Sequence, residues 1–262
     1  YEALGLAEYH GPRSQMMRCI DEPIMAKDGS CWGALSGFSA ALLARDGFTG
    51  APAITIFNDD VADIWADLGT RFYTFEQYIK AYPVCRWAQP AVEGALYIKT
   101  ENDIDITQIK CINVHTFHEA KRLHTIMPKN SDQAQYSLPF SVACALRDST
   151  VTTKAITDDL NDPLLLELSH KVTCIEEDNY NDLFPAERWA HVGIEMNDGR
   201  RFTSPPSIAR GNPENPLSDA EVKDKFYELA LTLKTKAECD HIFDVVMNLD
   251  DMSSTRVLTK LL

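Results

Sequence analysis

Two prolines set inside KAYPVCRWAQPAVEGAL (Lys80 to Leu96) constrain where this 262-residue chain can run as helix. Pro83 locks its own φ and pushes Tyr82 toward extended backbone, so Lys80 cannot continue into the helix that follows. Pro90 is tolerated in the first turn of a helix that begins near Gln89 and runs to about Tyr97. Lys80 and Arg86 are therefore carried on a stiff turn beside a helix N-terminus, whose N–H groups and dipole favour an anion. The segment reads as a cradle for a carboxylate or phosphate. The plainer reading of the same residues is a loop with two solvated cations.

Around this turn the chain changes character twice. Gly33 to Arg45 is small and apolar and reads as a tightly packed helix suited to a helix–helix or subunit contact, with Gly47 as its stop. A short helix is expected over Val61 to Leu68 and an extended segment over Arg71 to Ile79. From Asp103 the pattern becomes mixed. Ile104 to Val114 suggests a strand whose phase slips between Ile106 and Ile109. Ala134 to Arg147 is a helix, Asp162-Pro163 opens another, and Lys171 to Ile175 is a strand. Arg188 to Met196 alternates into an Asn197-Asp198-Gly199 hairpin turn. Gly211 to Pro216 has the composition of a hinge, and Ser218-x-x-Glu221 is a capping box that starts a helix to about Lys234. Two further helices, near Ala237 to Leu249 and Ser253 to Leu262, are expected to close the chain. The expected fold is α+β, with a mainly helical domain built from residues 1–102 and 211–262 and an inserted α+β lid over residues 103–210.

Composition narrows the function. The formal charge of −14 argues against nucleic acid or an anionic membrane as partner, because both are bound through excess Lys and Arg. No apolar run approaches the ~20 residues that span a bilayer. A polyanionic substrate would need a local cationic pocket against the global field. Seven scattered cysteines without a C-x-x-C pair suggest neither a disulfide framework nor a zinc site, and fit a cytoplasmic protein. His115-x-x-His118 has ligand spacing, but it sits at a strand end without a third ligand in view, so no metal is assigned.

Four ordered stretches resemble the MmgE/PrpD family, which includes 2-methylcitrate dehydratases, cis-aconitate decarboxylases and iminodisuccinate epimerases. They are Leu6 to Asp21 leading into Met25 to Pro52 (MAKDGSCWGALSGFSAALLARDGFTGAP), the Lys80-x-Tyr82-Pro83-x-Cys85 turn, Ala134 to Leu146 (AQYSLPFSVACAL), and Gly211 to Phe226 (GNPENPLSDAEVKDKF). The resemblance enters partway through the family's first helical domain. The chain is therefore expected to be the C-terminal part of a longer protein, whose missing portion holds further active-site residues.

The resemblance implies a cofactor-independent lyase acting on a small di- or tricarboxylate by α-proton abstraction, with dehydration of the 2-methylcitrate type leading. Epimerisation and decarboxylation use a similar carbanion-like intermediate and stay open, as does a non-catalytic fragment that serves in dimerisation. It also implies a homodimer and places Lys27 with Lys80 as catalytic cations lining one cleft. That pairing suits the chemistry: proton loss α to a carboxylate builds charge that fixed cations stabilise, and two nearby lysines lower the pKa of at least one. His10 and Arg13, aimed by the Gly11-Pro12 turn, are candidate substrate-binding residues. Tyr82 as a hydrogen-bond donor and Arg86 as a carboxylate clamp complete the set.

Overall fold

The computed structural model describes residues 1–13, 15–25 and 29–261. In its first half the helices are α1 (Glu2–His10), α2 (Met16–Asp21), α3 (Ser30–Arg45), α4 (Ile54–Phe57) and α5 (Gln89–Glu101). The middle holds α6 (His118–Lys121), α7 (Ser131–Gln135), α8 (Leu138–Asp148), α9 (Thr153–Thr157), α10 (Pro163–His170) and α11 (Asp178–Asn181), and the end holds α12 (Asp219–Ala230) and α13 (Lys236–Met247). Strands β1 (Ile109–Thr116), β2 (Val172–Glu176), β3 (Ala190–Met196) and β4 (Arg201–Thr203) form one sheet in the order β2-β1-β3-β4. The class is α+β, as expected. No helix among the described residues is long and apolar enough to cross a membrane.

β1 runs parallel to β2 and antiparallel to β3, so the segment carrying α6 to α10 is the crossover that parallel pairing requires. Along β3, Ala190, Val192, Ile194 and Met196 are buried while the alternate residues are half-buried, which makes one face of the sheet the core face. Onto that face pack α5 and α8. Every residue of α8 from Leu138 to Leu146 is buried, so it is a core helix on all sides. Ser137 caps it by accepting a hydrogen bond from the Phe140 N–H at 3.0 Å, and this cap divides α7 from α8 where a single helix was expected. The apolar core runs without a break from Tyr82 to Met196. Helix α5, placed with the first helical segment by sequence, thus shares the core of the sheet.

Several local signals act as their chemistry predicts. Asp162 accepts from the Leu165 N–H at 3.0 Å and starts α10, Ser218 and Glu221 complete their capping box, and Gly199 turns the hairpin with φ +88°. The slip in phase before β1 has a cause: Asp105 accepts from the Thr107 N–H at 3.0 Å and winds Ile106–Gln108 into a 3-10 turn.

Four expectations about elements are corrected. Arg71 to Ile79 is not extended; Tyr73–Glu76 is a 3-10 turn closed by the Arg71–Glu76 ion pair at 2.6 Å. Aromatic and β-branched residues favour a strand only where a neighbouring strand takes up the ladder, and none does so there among the described residues. Val61 to Leu68 falls largely in a 3-10 helix, Asp59–Trp65, rather than an α-helix. Helix α12 stops at Ala230 instead of about Lys234, and a second capping box, Thr235 with Glu238, starts α13 at Lys236. The closing segment Thr255–Lys260 is likewise 3-10.

The first eighty residues are built differently from the core. α1 packs on α3, and Glu8 accepts hydrogen bonds from the Ile54 and Thr55 N–H groups at 3.2 and 3.1 Å. In α3 the one buried residue is Ala40, while Trp32, Leu35, Phe38, Leu42 and Leu43 are exposed. The small-residue stripe of α3 meets no neighbour at Gly33 or Gly37 among the described residues.

The Gly211 to Pro216 segment is tied down rather than loose. The Ile79 N–H donates to the Gly211 carbonyl at 3.0 Å, and the Gly211 N–H donates to the Asn215 carbonyl at 2.8 Å. Gly211 has φ +94°, and a Cβ there would stand 1.8 Å from the Ile79 carbonyl oxygen. Gly211→Ala is therefore expected to lower the unfolding free energy by about 1–3 kcal/mol, through both strain and clash. Gly37→Ala, inside α3 with no neighbour within 4 Å, is expected to raise it by about 0.5–1 kcal/mol. Urea unfolding of the two variants checks this packing, which shifts of the same sign would contradict.

Candidate active site

The Lys80–Arg86 turn is held from inside. Gln89, fully buried, donates through Nε2 to the carbonyls of Tyr82 and Val84, both at 3.1 Å. Lys80 Nζ donates to the Val84 carbonyl at 3.2 Å, and the Cys85 N–H donates to the Gln135 carbonyl at 2.7 Å. Arg86–Ala88 then forms a 3-10 turn that runs straight into α5. Gln89, Pro90, Ala91 and Val92 are buried. The α5 N-terminus thus faces protein, and the cations on the turn, not the helix dipole, are what an anion would meet.

Toward one side the turn presents Tyr82, which is 5 % exposed. Its hydroxyl donates to Glu93 Oε1 at 3.0 Å, and Arg210 Nε donates to the same oxygen at 3.3 Å. Arg210 Nη1 reaches Glu221 Oε1 at 2.5 Å. Burial, reinforced by the Glu93 charge, pushes the Tyr82 phenol well above its ordinary pKa, so it stays a donor. Burial also raises the Glu93 pKa, against the pull of Arg210. Glu221 is held down to about 2 by the Ser218 N–H and then by Arg210. Burial works against the Arg210 charge, but Glu221 and Glu93 outweigh it and raise its pKa.

Beside this network Lys225 Nζ donates to the Lys80 carbonyl. Burial first, and the Lys80 charge second, lower the Lys225 pKa. A lysine poised in this way is a candidate proton acceptor, with Tyr82 a candidate donor and Arg210 a fixed cation. Tyr82, Thr152, Arg210 and Lys225 line a cavity of about 270 Å³. A wider one of about 640 Å³ shares Tyr82 and Arg210 and adds Glu93 and Tyr97.

Arg86 turns the other way. Its guanidinium stacks over the Tyr78 ring at 3.7 Å and donates through Nη2 to Asn212 Oδ1. It lines a separate cavity of about 350 Å³ with Arg188, Trp189 and Asn212. Ile208 lines both this cavity and the wide one on the Tyr82 side.

Of the residues expected to form one site, Tyr82 lines the cavities on one side of the turn and Arg86 that on the other, while Lys80 lines none of these three and bonds the Val84 carbonyl. Lys27 lies outside the described residues. His10 ends α1 exposed, edge-on to Tyr9 at 5.0 Å, and Arg13 is exposed near the Glu8 carboxylate. Neither lines the cavities around the turn.

The histidines of His115-x-x-His118 diverge to different carboxylates, Glu177 at 2.6 Å and Glu176 at 3.2 Å. His115 stacks on His191 at 4.3 Å, and Tyr180 bonds His191 Nδ1 at 2.9 Å. Among the described residues no three His, Cys, Asp or Glu side chains gather as a metal site. Sequence reasoning missed Glu93, Arg210, Lys225 and Arg188. Glu93 carried a faint signal as an acidic residue inside an apolar helix, and Lys225 lay within the Gly211 to Phe226 stretch that resembles the family, whereas Arg188 and Arg210 carried none.

Comparison with known proteins identifies the family. The MmgE/PrpD C-terminal domain matches residues 82–251, a span that takes in α5 together with the sheet it packs on. Among curated relatives, the cis-aconitate decarboxylase of Aspergillus terreus is 24% identical over 213 residues, covering 76% of this chain and 43% of the relative. That of Mus musculus is 26% identical over 136 residues, covering 52% of this chain and 28% of the relative. That of Homo sapiens is 28% identical over 139 residues, with the same shares covered. The chain spans less than half the length of each of these relatives. With the family's C-terminal domain matched over most of its length, the chain belongs to the MmgE/PrpD family.

Proposed function

We propose that the protein to which this chain belongs is a lyase acting on a small di- or tricarboxylate, with the Lys80 turn as part of its active site. The reading is supported by Lys225 and Arg210 lining one cavity with Tyr82, where Glu221, Asp224 and Glu228 also sit, and by Lys80 bonded to the neighbouring Val84 carbonyl. Loss of carbon dioxide or water from such a substrate passes through a carbanion-like state with extra charge on a remaining carboxylate. Fixed cations stabilise that state more than the ground state. A lysine of lowered pKa can hold or release the proton, and Tyr82 can donate a hydrogen bond.

The decarboxylase relatives favour decarboxylation over the dehydration first expected. Lys27 is proposed as a further cation of the same cleft, and His10 and Arg13 as contributors from the helical part. We further propose that the complete protein is a homodimer that pairs through its helical part, supported by the exposed apolar face of α3. A three-part division is proposed for the complete protein as well, with the first boundary moved ahead of α5 because that helix shares the core of the sheet.

In the complete protein, citrate, 2-methylcitrate, cis-aconitate and iminodisuccinate incubated in deuterated water and followed by NMR are expected to give decarboxylation of cis-aconitate. Deuterium exchange without net conversion would instead indicate epimerase chemistry. Lys80→Ala is expected to lower turnover by at least ~10²-fold, the scale of a lost oxyanion-stabilising group. Wild-type turnover in that variant would remove Lys80 from the mechanism.

Phe38→Asp, on the exposed face of α3, is expected to convert the dimer to a monomer at micromolar concentration by light scattering. An unchanged mass would move the interface elsewhere.

A further inference from the structure

Two histidines lie ring on ring where α11 meets the sheet. His115 of β1 and His191 of β3 are direct partners in the antiparallel ladder, and both side chains leave the sheet on its half-buried face. Their rings are parallel to within 7° and 4.3 Å apart. Each is bonded at Nδ1 to α11 or to the residue that precedes it. His115 meets Glu177 Oε1 at 2.6 Å, and His191 meets the Tyr180 hydroxyl at 2.9 Å.

The two contacts differ in what they tolerate. A carboxylate only accepts, so His115 donates from Nδ1 and can carry a charge that Glu177 balances. Burial, with the Glu177 charge behind it, holds the Tyr180 phenol above its ordinary pKa, so its hydroxyl keeps the proton and donates to His191. Nδ1 of His191 is thus an acceptor, and a proton placed there ends the bond as it stands.

Among the described residues, His115 and Glu177 are the charges that act on His191. Ile175 of β2, which flanks His115 on its other side, is apolar, and the Glu176 carboxylate is taken up by His118, Asn181 and Lys121. The segment after β4 brings Ser204 and Ser207 against β3, with two prolines between them. Burial first, and the His115 charge second, hold the His191 pKa below its ordinary value. The pair therefore accommodates one positive charge. Two would stand face to face with a single carboxylate to balance them.

We propose that the His115–His191 stack is a pH-sensitive latch, which fastens α11 to the sheet and loosens when both rings are charged. A histidine whose pKa falls on folding contributes stability that is complete above its ordinary value of about 6.5 and is lost as the pH drops through its native value. The latch is closed at neutral pH and opens in acid. Its opening is local, because Phe184, just beyond α11, stacks on the buried Phe117 at 5.0 Å. The latch uses none of the residues assigned to the Lys80 site and does not depend on the reaction proposed there.

The test is amide hydrogen exchange of the full chain between about pH 7.5 and about pH 5.5, the window in which a histidine changes charge. Protection factors are compared, so that the intrinsic pH dependence of exchange cancels. The N–H groups of Tyr180, Asn181 and Asp182 bond to the Glu177 and Asp178 carbonyls. They are expected to lose at least ~10-fold in protection in acid, the effect of a coupling of about one pK unit, while α8 keeps its own. His191→Gln, which retains an acceptor for Tyr180 but takes no charge, is expected to abolish that loss, and His115→Gln to reduce it. Far-UV circular dichroism establishes that each variant is folded. If neither folds, proton NMR titration of the wild-type imidazoles decides: the two rings are expected to take up protons in two steps at least about one pH unit apart. The proposal is overturned if α11 keeps its protection in acid, if His191→Gln loses it as wild type does, or if the two rings titrate together. A loss shared equally by α8 would overturn it too, because the acid transition would then be global.

Discussion

A single buried amide organises the candidate site. The Tyr82 and Val84 carbonyls belong to a turn that has neither a helix nor a ladder to satisfy them, and Gln89 Nε2 bonds both. The cost of leaving two buried carbonyls unpaired makes this contact hard to replace. Because Gln89 is the first residue of α5, the turn is referenced to a helix that packs on the sheet. Lys80 adds its own bond to the Val84 carbonyl, so Lys80 and Gln89 share one anchor on the backbone of the turn. The placement of Tyr82 on one side and Arg86 on the other follows from this fixed turn.

Local chemistry was legible in the sequence, and long-range partnership was not. Pro83, Pro90, Asp162, Ser218 and Gly199 each act within a few residues of themselves, and each marks an element boundary where its chemistry says it should. Thr235 and Glu238 carry the same box signature as Ser218 and Glu221, and it starts α13. Arg71 to Ile79 misled because its strand-like composition lacks a strand to pair with. Lys80, Tyr82 and Arg86 could be singled out from one short segment. Arg210 and Lys225 join them across more than a hundred residues of chain, and no local pattern announces such a meeting. Arg188 came into view only through the cavity it shares with Arg86.

Electrostatics separates the molecule into a diffuse negative field and a few concentrated positive points. At physiological ionic strength charges more than about 8 Å apart in solvent are largely screened. The formal charge of −14 therefore matters to an approaching anion mainly as weak repulsion. In the cavity beside Tyr82 an anion would meet Lys225 and Arg210 together with Glu221, Asp224 and Glu228. Acidic partners are spent on structure: Glu221 caps α12 while bonding Arg210, and Glu93 is tied to Tyr82. The positive groups stay oriented because the negative ones are committed.

Helix α3 has a thermodynamic character unlike that of α8. Sixteen residues with a single one buried gain little from removing apolar surface from water, and an isolated helix of that length is only marginally stable. Its contact with α1 supplies part of what is needed, yet its aromatic face remains in solvent. With so little of it buried, α3 is expected to open locally at a lower free energy than the sheet and α8. Any surface that covers Trp32, Leu35 and Phe38 stabilises α3 by mass action, so the order of the first eighty residues becomes a property of the assembly and not of the chain alone.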